Sequence, residues 1–328
     1  MANKPKVAIC WLGGCGGCDE AVVDLNEALL TVADAVDIIL WPVALDYKYH
    51  HIKAMADGDI TLSIINGNVR NSEQEEIANL LRRKSQLVLA FGACACFGGT
   101  PGMANFRSKQ DIFDWVYRDA PTVVNPQGNR PEPAVTIDGK ELTLPAFDET
   151  VKSLNQVIDV DYYLPGCPPP PDLITNAVSA VLANKLPARG SSLAPHKSLC
   201  DSCPRNETKP DKMTVKEMKR IHEVEAKPDI CFLAQGILCM GIATRDGCGH
   251  SCIDINMPCR GCFGPVEGVK DGGVKMISTL AGILDIEDES AMEKVAEQIG
   301  DIAGYMYRFS LPISALTRID ARNRGQGD

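Results

Sequence analysis

Cysteine is the residue type through which this chain could do chemistry. Cys15 and Cys18 close one apolar run, Cys94 closes another with Cys96 two residues on, and Cys167 sits in Gly166-Cys167-Pro168. Farther along stand Cys200-x2-Cys203, Cys231, Cys239, Cys248, Cys252 and Cys259-x2-Cys262. Soft thiolates at this density are ligands for iron–sulfur clusters or zinc, and a four-ligand site takes four of them. Of the 14 cysteines, setting aside the two at Cys10 and Cys96 leaves twelve, enough for three tetranuclear clusters. Cys10 lies inside a strand and reads as core, and Cys96 reads as a spare thiol beside a cluster.

To bring such residues together the chain needs loops that converge. Residues 6–95 alternate short apolar strands with helical patterns, the signature of a parallel sheet covered by helices. Strands are expected over 6–12, 36–43, 60–66 and 86–93, with a further one over 162–164. Helices are expected over 20–32, from Ser72 onward and over 172–184. The fold class is α/β, a flavodoxin-like parallel sheet domain at residues 1–190 followed by a smaller, loop-rich iron–sulfur domain at 191–328. In such a sheet ligands bind beyond the carboxyl ends of the strands. Cys15, Cys18, Cys94 and Cys167 all follow strands, so they form one quartet at one edge, and the glycines beside them permit close backbone approach.

Prolines 121, 126, 131, 133 and 145 break up the stretch from 97 to 160, where Thr136-Ile137-Asp138-Gly139-Lys140 reads as a hairpin tip. Residues 187–195 read as a linker, the charged stretch 204–228 as a solvated helix, and 291–309 as a last helix. By spacing, Cys200, Cys203, Cys231 and Cys239 make a second quartet, and Cys248, Cys252, Cys259 and Cys262 a third. Zinc would accept either on spacing alone, but a zinc ribbon leaves the first quartet unexplained. The glycine-rich loop after the first strand lacks both Gly-x-Gly-x-x-Gly spacing and a Gly-Lys-Ser/Thr ending, which argues against a nucleotide or flavin phosphate there.

Lys and Arg total 33 against 43 Asp and Glu, a net charge of -10, which argues against a nucleic-acid surface. No apolar run approaches the roughly 18–20 residues of a membrane span, and the N-terminal residues run into the first strand without a signal-peptide pattern. A cytoplasmic location is expected. There the cysteines serve as ligands rather than as disulfides.

The segments Trp11-Leu12-Gly13-Gly14-Cys15-Gly16-Gly17-Cys18-Asp19-Glu20, Gly92-Ala93-Cys94-Ala95-Cys96-Phe97-Gly98-Gly99 and Pro165-Gly166-Cys167-Pro168-Pro169 resemble the proximal-cluster motifs of [NiFe] hydrogenase small subunits. Ala243-Thr244-Arg245-Asp246-Gly247-Cys248 and Pro258-Cys259-Arg260-Gly261-Cys262-Phe263-Gly264-Pro265 resemble the medial-cluster motifs. The resemblance spans about residues 5–270 and is strongest to the methyl-viologen-reducing, F420-non-reducing subgroup. It implies three [4Fe-4S] clusters: proximal on Cys15, Cys18, Cys94 and Cys167; medial on Cys248, Cys252, Cys259 and Cys262; distal on Cys200, Cys203, Cys231 and Cys239. It also implies a separate large subunit holding the Ni-Fe site, and delivery of electrons from H2 to a small electron-transfer subunit and a heterodisulfide reductase complex.

Two departures from periplasmic relatives stand out. Cys200 takes the place of a distal histidine, leaving His196 uninvolved, and Cys252 takes the place of a proline that leaves those relatives a three-iron medial cluster. Glu20, two residues after Cys18, is the candidate for proton transfer, with a helix-capping role as its alternative. The competing functions are a small subunit of an F420- or NAD(P)-reducing hydrogenase and a non-hydrogenase electron-transfer module related to complex I.

Overall fold

The computed structural model describes residues 4–286 and 288–316. Its strands are β1 (Lys6–Trp11), β2 (Asp37–Leu40), β3 (Ile60–Asn66), β4 (Val69–Asn71), β5 (Ser85–Phe91), β6 (Ala134–Ile137), β7 (Lys140–Thr143), β8 (Phe147–Lys152), β9 (Tyr162–Leu164) and β10 (Ser191–Ser192). Six of them form one sheet in the order β10-β9-β5-β3-β1-β2, with every pairing parallel. Apart from the two-residue edge β10, the order is the flavodoxin-like one.

Alternation along β1 explains why the sheet is buried on both sides. Val7 and Ile9 point into an apolar layer with Leu62, Leu89, Phe91 and Ile174. Ala8 and Cys10 point into the opposite layer with Ile65, Val88 and Leu81. Cys10 is thus a core residue, as its place in a strand suggests, and burial pushes its thiol up to about 12. Helix Ser72–Lys84 opens with an Asn71/Gln74 capping box and ends on Arg82, Arg83 and Lys84, both favourable to the helix dipole. A third apolar cluster, drawn entirely from residues 199–311, makes a separate core around Phe232, Met276 and Tyr307.

Four expected elements differ. The helix over 20–32 is two helices, Gly17–Val23 and Glu27–Ala35, because Asn26 takes φ 51° between them. The helix over 291–309 likewise divides into Glu289–Ile299 and Ile302–Tyr307 around Gly300 at φ 75°. The stretch read as a solvated helix over 204–228 holds only the short 3-10 turn Asn206–Thr208. Val215 and Met218 bury themselves in the second core, and bridges Val215↔Leu284 and Lys219↔Ile237 strap the segment down. Apart from buried Arg205, its charges face solvent without helical periodicity, and Pro204 and Pro228 bound it. The stretch read as a linker, 187–195, contributes β10 to the sheet edge.

Candidate metal centres

The sheet sets up the first group. Beyond β1, Leu12 and Gly13 donate to the Asn66 and Asn68 carbonyls at 2.8 and 2.9 Å, carrying Cys15 over the sheet's carboxyl edge. Cys18 lies in helix Gly17–Val23. Beyond β5, helix Gly92–Phe97 carries Cys94, and the Ala93 amide donates to the Gly166 carbonyl at 2.7 Å, drawing in the loop of Cys167. Cys15, Cys18, Cys94 and Cys167 together line one cavity of about 70 Å³.

Close approach here depends on glycine. Gly92 takes φ +82°, and a Cβ on it would stand 2.3 Å from Cys18 Sγ; one on Gly99, at φ +62°, would stand 2.4 Å from Cys94 Sγ. Burial raises the thiols of Cys18 and Cys94, the latter to about 12, and the neighbouring cysteines raise them further. Mutual repulsion of this kind is what a bound cation relieves.

Cys200, Cys203, Cys231 and Cys239 line a second cavity, of about 30 Å³, with Phe232, Leu233 and Ile253. Helix Leu199–Ser202 presents Cys200 through a Ser198/Asp201 capping box, and the Cys231 amide donates to Thr208 Oγ1 at 2.9 Å. Burial again raises the thiols, Cys200 to about 12 and Cys239 to about 11. Of the third expected set, Cys248, Cys252, Cys259 and Cys262, burial and then Cys248, Cys167 and Cys252 raise the Cys262 thiol to about 12, while Cys239 and Cys262 act on buried Cys259.

The Cys259 amide donates to Cys239 Sγ of the second group at 3.4 Å. Among the described residues no three His, Cys, Asp or Glu side chains converge on a single ion-sized point. The first two groups are each a set of four thiols about a cavity, and this donor set fits a sulfur-ligated cluster.

The remaining named residues stand apart. Cys96 is buried and donates to the Ala90 carbonyl at 3.3 Å. His196 pairs with Glu267 at the surface. Glu20 is exposed in the first turn of helix Gly17–Val23, where no side-chain hydrogen bond caps the helix. Its neighbour Asp19 was not singled out by sequence, yet it is buried and accepts from Trp41 Nε1 at 2.8 Å and Asn66 Nδ2 at 2.9 Å. Arg205 was also passed over and is 5% exposed beside the distal group. Among the described residues no helix is long and apolar enough to cross a membrane.

Residues 15–181, which carry most of the sheet and the first cysteine group, match the family described as NADH ubiquinone oxidoreductase, 20 Kd subunit. The chain is 41% identical over 94% of its length to the iron-sulfur subunit of the F420-non-reducing hydrogenase of Archaeoglobus profundus, of which 96% is covered. It is 37% identical over 99% of its length to the corresponding F420-non-reducing hydrogenase subunit of Methanothermobacter marburgensis, of which 100% is covered. Among solved structures, the recombinant [NiFeSe] hydrogenase of Desulfovibrio vulgaris Hildenborough matches 82% of this chain and 96% of its own at 16% identity, with a TM-score of 0.49. The protein is of the hydrogenase small-subunit type. Within that type, the chain belongs to the family of F420-non-reducing hydrogenase iron-sulfur subunits.

Proposed function

We propose that this chain is the electron-transfer subunit of a cytoplasmic [NiFe] hydrogenase, holding three [4Fe-4S] clusters and passing electrons from a separate Ni-Fe large subunit toward a heterodisulfide reductase complex by way of a small electron-transfer subunit. The observation that carries the proposal is the gathering of Cys15, Cys18, Cys94 and Cys167 around one cavity and of Cys200, Cys203, Cys231 and Cys239 around another, with the Cys259 amide donating to Cys239 Sγ. Bound there, iron–sulfur clusters supply one-electron acceptors. The chain's own residues fix their spacing and exclude water: Phe232, Leu233 and Ile253 wall the distal cavity.

The proximal end suits docking of the large subunit. Cys15 and Cys167 are exposed, and Trp11, Val43 and Leu45 leave apolar surface uncovered near the carboxyl ends of β1 and β2. The complex I-related alternative accounts for the first group but gives no role to the eight cysteines from Cys200 to Cys262. The relatives matched over nearly the full length support the F420-non-reducing subgroup over an F420- or NAD(P)-reducing one.

Hydrogen-dependent viologen reduction tests the proposal. It is expected of the complex with its large subunit, and none is expected of this chain alone; activity in the isolated chain would defeat the proposal. Within the same assay, Glu20→Gln keeps the size of the side chain and removes its titrating proton. We assign Glu20 proton movement at the large-subunit interface, so turnover should fall at least about tenfold, below the range typical of a positioned acid or base, with cluster content unchanged. Wild-type turnover would return Glu20 to a helix-dipole role.

A further inference from the structure

The cavity of the distal group has one wall of unusual charge. Arg205 is 5% exposed, and among the described residues no carboxylate lies within ion-pairing distance of it. Its guanidinium instead donates to neutral acceptors: Nη1 to the Lys227 and Ile230 carbonyls, both at 3.4 Å, and Nη2 to the Ile253 carbonyl at 3.1 Å and Asn256 Oδ1 at 2.9 Å. Its plane lies over the Phe232 ring, 4.1 Å from the centroid.

Those acceptors come from separate parts of the second core. Lys227 and Ile230 lead into Cys231, Ile253 follows Cys252 in helix Ser251–Asp254, and Arg205 itself is two residues past Cys203. One planar fork therefore ties the Cys203 loop, the Cys231 loop and the helix of Cys252 together, a geometry lysine cannot reproduce. Burying a cation without a counter-charge is unfavourable. The thiols of the distal group line the same cavity as Arg205.

Resting on the iron–sulfur reading above, we infer that the buried Arg205 guanidinium, which lines the cavity of the distal group, is the fixed counter-charge of that group, holding its loops in place and favouring its reduced form. One-electron reduction there adds one negative charge and needs no proton, so a fixed cation favours the reduced form. Lys209 lines the same cavity.

The test is an EPR-monitored redox titration of the native complex carrying Arg205→Gln, Arg205→Lys or Lys209→Gln. With Arg205→Gln the oxidised-to-reduced ratio of the distal signal at fixed ambient potential should rise about tenfold, equivalent to about 59 mV for a one-electron couple. Arg205→Lys keeps the charge and should bring the ratio back to near wild type. An Arg205→Gln complex with full iron and an unmoved ratio overturns the inference. Should that variant lose distal iron, Lys209→Gln decides: a rise of about threefold, smaller because Lys209 is more exposed and screened, supports cationic stabilisation of the distal group, and an unmoved ratio overturns it. Three cluster signals in the wild-type complex with unmoved variants overturn this inference alone, whereas a wild-type complex with no distal signal overturns the iron–sulfur reading as well.

Discussion

Gly92→Ala should empty the proximal site. The new methyl group would stand 2.3 Å from Cys18 Sγ, a distance side chains do not tolerate, on a backbone held at φ +82°. Left-handed backbone costs alanine about 1–2 kcal/mol on its own. The larger effect is geometric: either Cys18 moves, or helix Gly92–Phe97 moves and takes Cys94 with it. Iron held by this chain, after subtracting that of its partner subunits, should fall by about a third, from three clusters to two. Hydrogen-dependent viologen reduction should fall at least about a hundredfold, the scale on which a misplacement of one ångström acts in a site. Gly58→Ala is the control, since Gly58 also has positive φ, +76°, but nothing lies within 4 Å of its Cβ position. That variant should keep iron and activity. Full iron content in the Gly92→Ala complex would show that the two cysteine loops do not need this approach.

Asp19→Ala should lower stability rather than remove a ligand. Asp19 is buried behind Cys18, and its two carboxylate oxygens accept from Trp41 Nε1 and Asn66 Nδ2. Alanine leaves both donors buried without partners, at about 1–3 kcal/mol each. For a protein of this size the apparent melting temperature of the complex should drop by roughly 5 °C or more. Asp19→Asn retains one acceptor and should lie between the two. Thermal unfolding at a fixed scan rate measures this, and an Asp19→Ala complex melting with the wild type would remove Asp19 from the support of the proximal loops.

The sheet was legible in sequence because its strands are short apolar runs ending in glycine and cysteine; β3 and β9 have the bounds that reading sets. Strand ends on one edge meet in a doubly wound fold, and Cys15, Cys18, Cys94 and Cys167 do line one cavity there. Tertiary packing decided the rest. Asn26 breaks a helix that apolar spacing runs straight through, because a single residue at φ 51° leaves no mark in the hydrophobic pattern. The strap over 204–228 is rich in charge and reads as solvated, but Val215 and Met218 anchor it across long sequence separations. Asp19 and Glu20 are adjacent acids, and only the rotation of about 100° per residue along a helix puts one in the core and the other in water. Arg205 looks like any surface arginine until the carbonyls of Ile230 and Ile253 close around it.

The central claim, three four-iron clusters on twelve of the 14 cysteines, is tested most directly by measuring iron, zinc and acid-labile sulfide in the native complex per copy of this chain, after subtracting the metal and sulfide of every other subunit. About twelve irons and about twelve sulfides are expected, with zinc absent. A value near eight, or stoichiometric zinc, would contradict it.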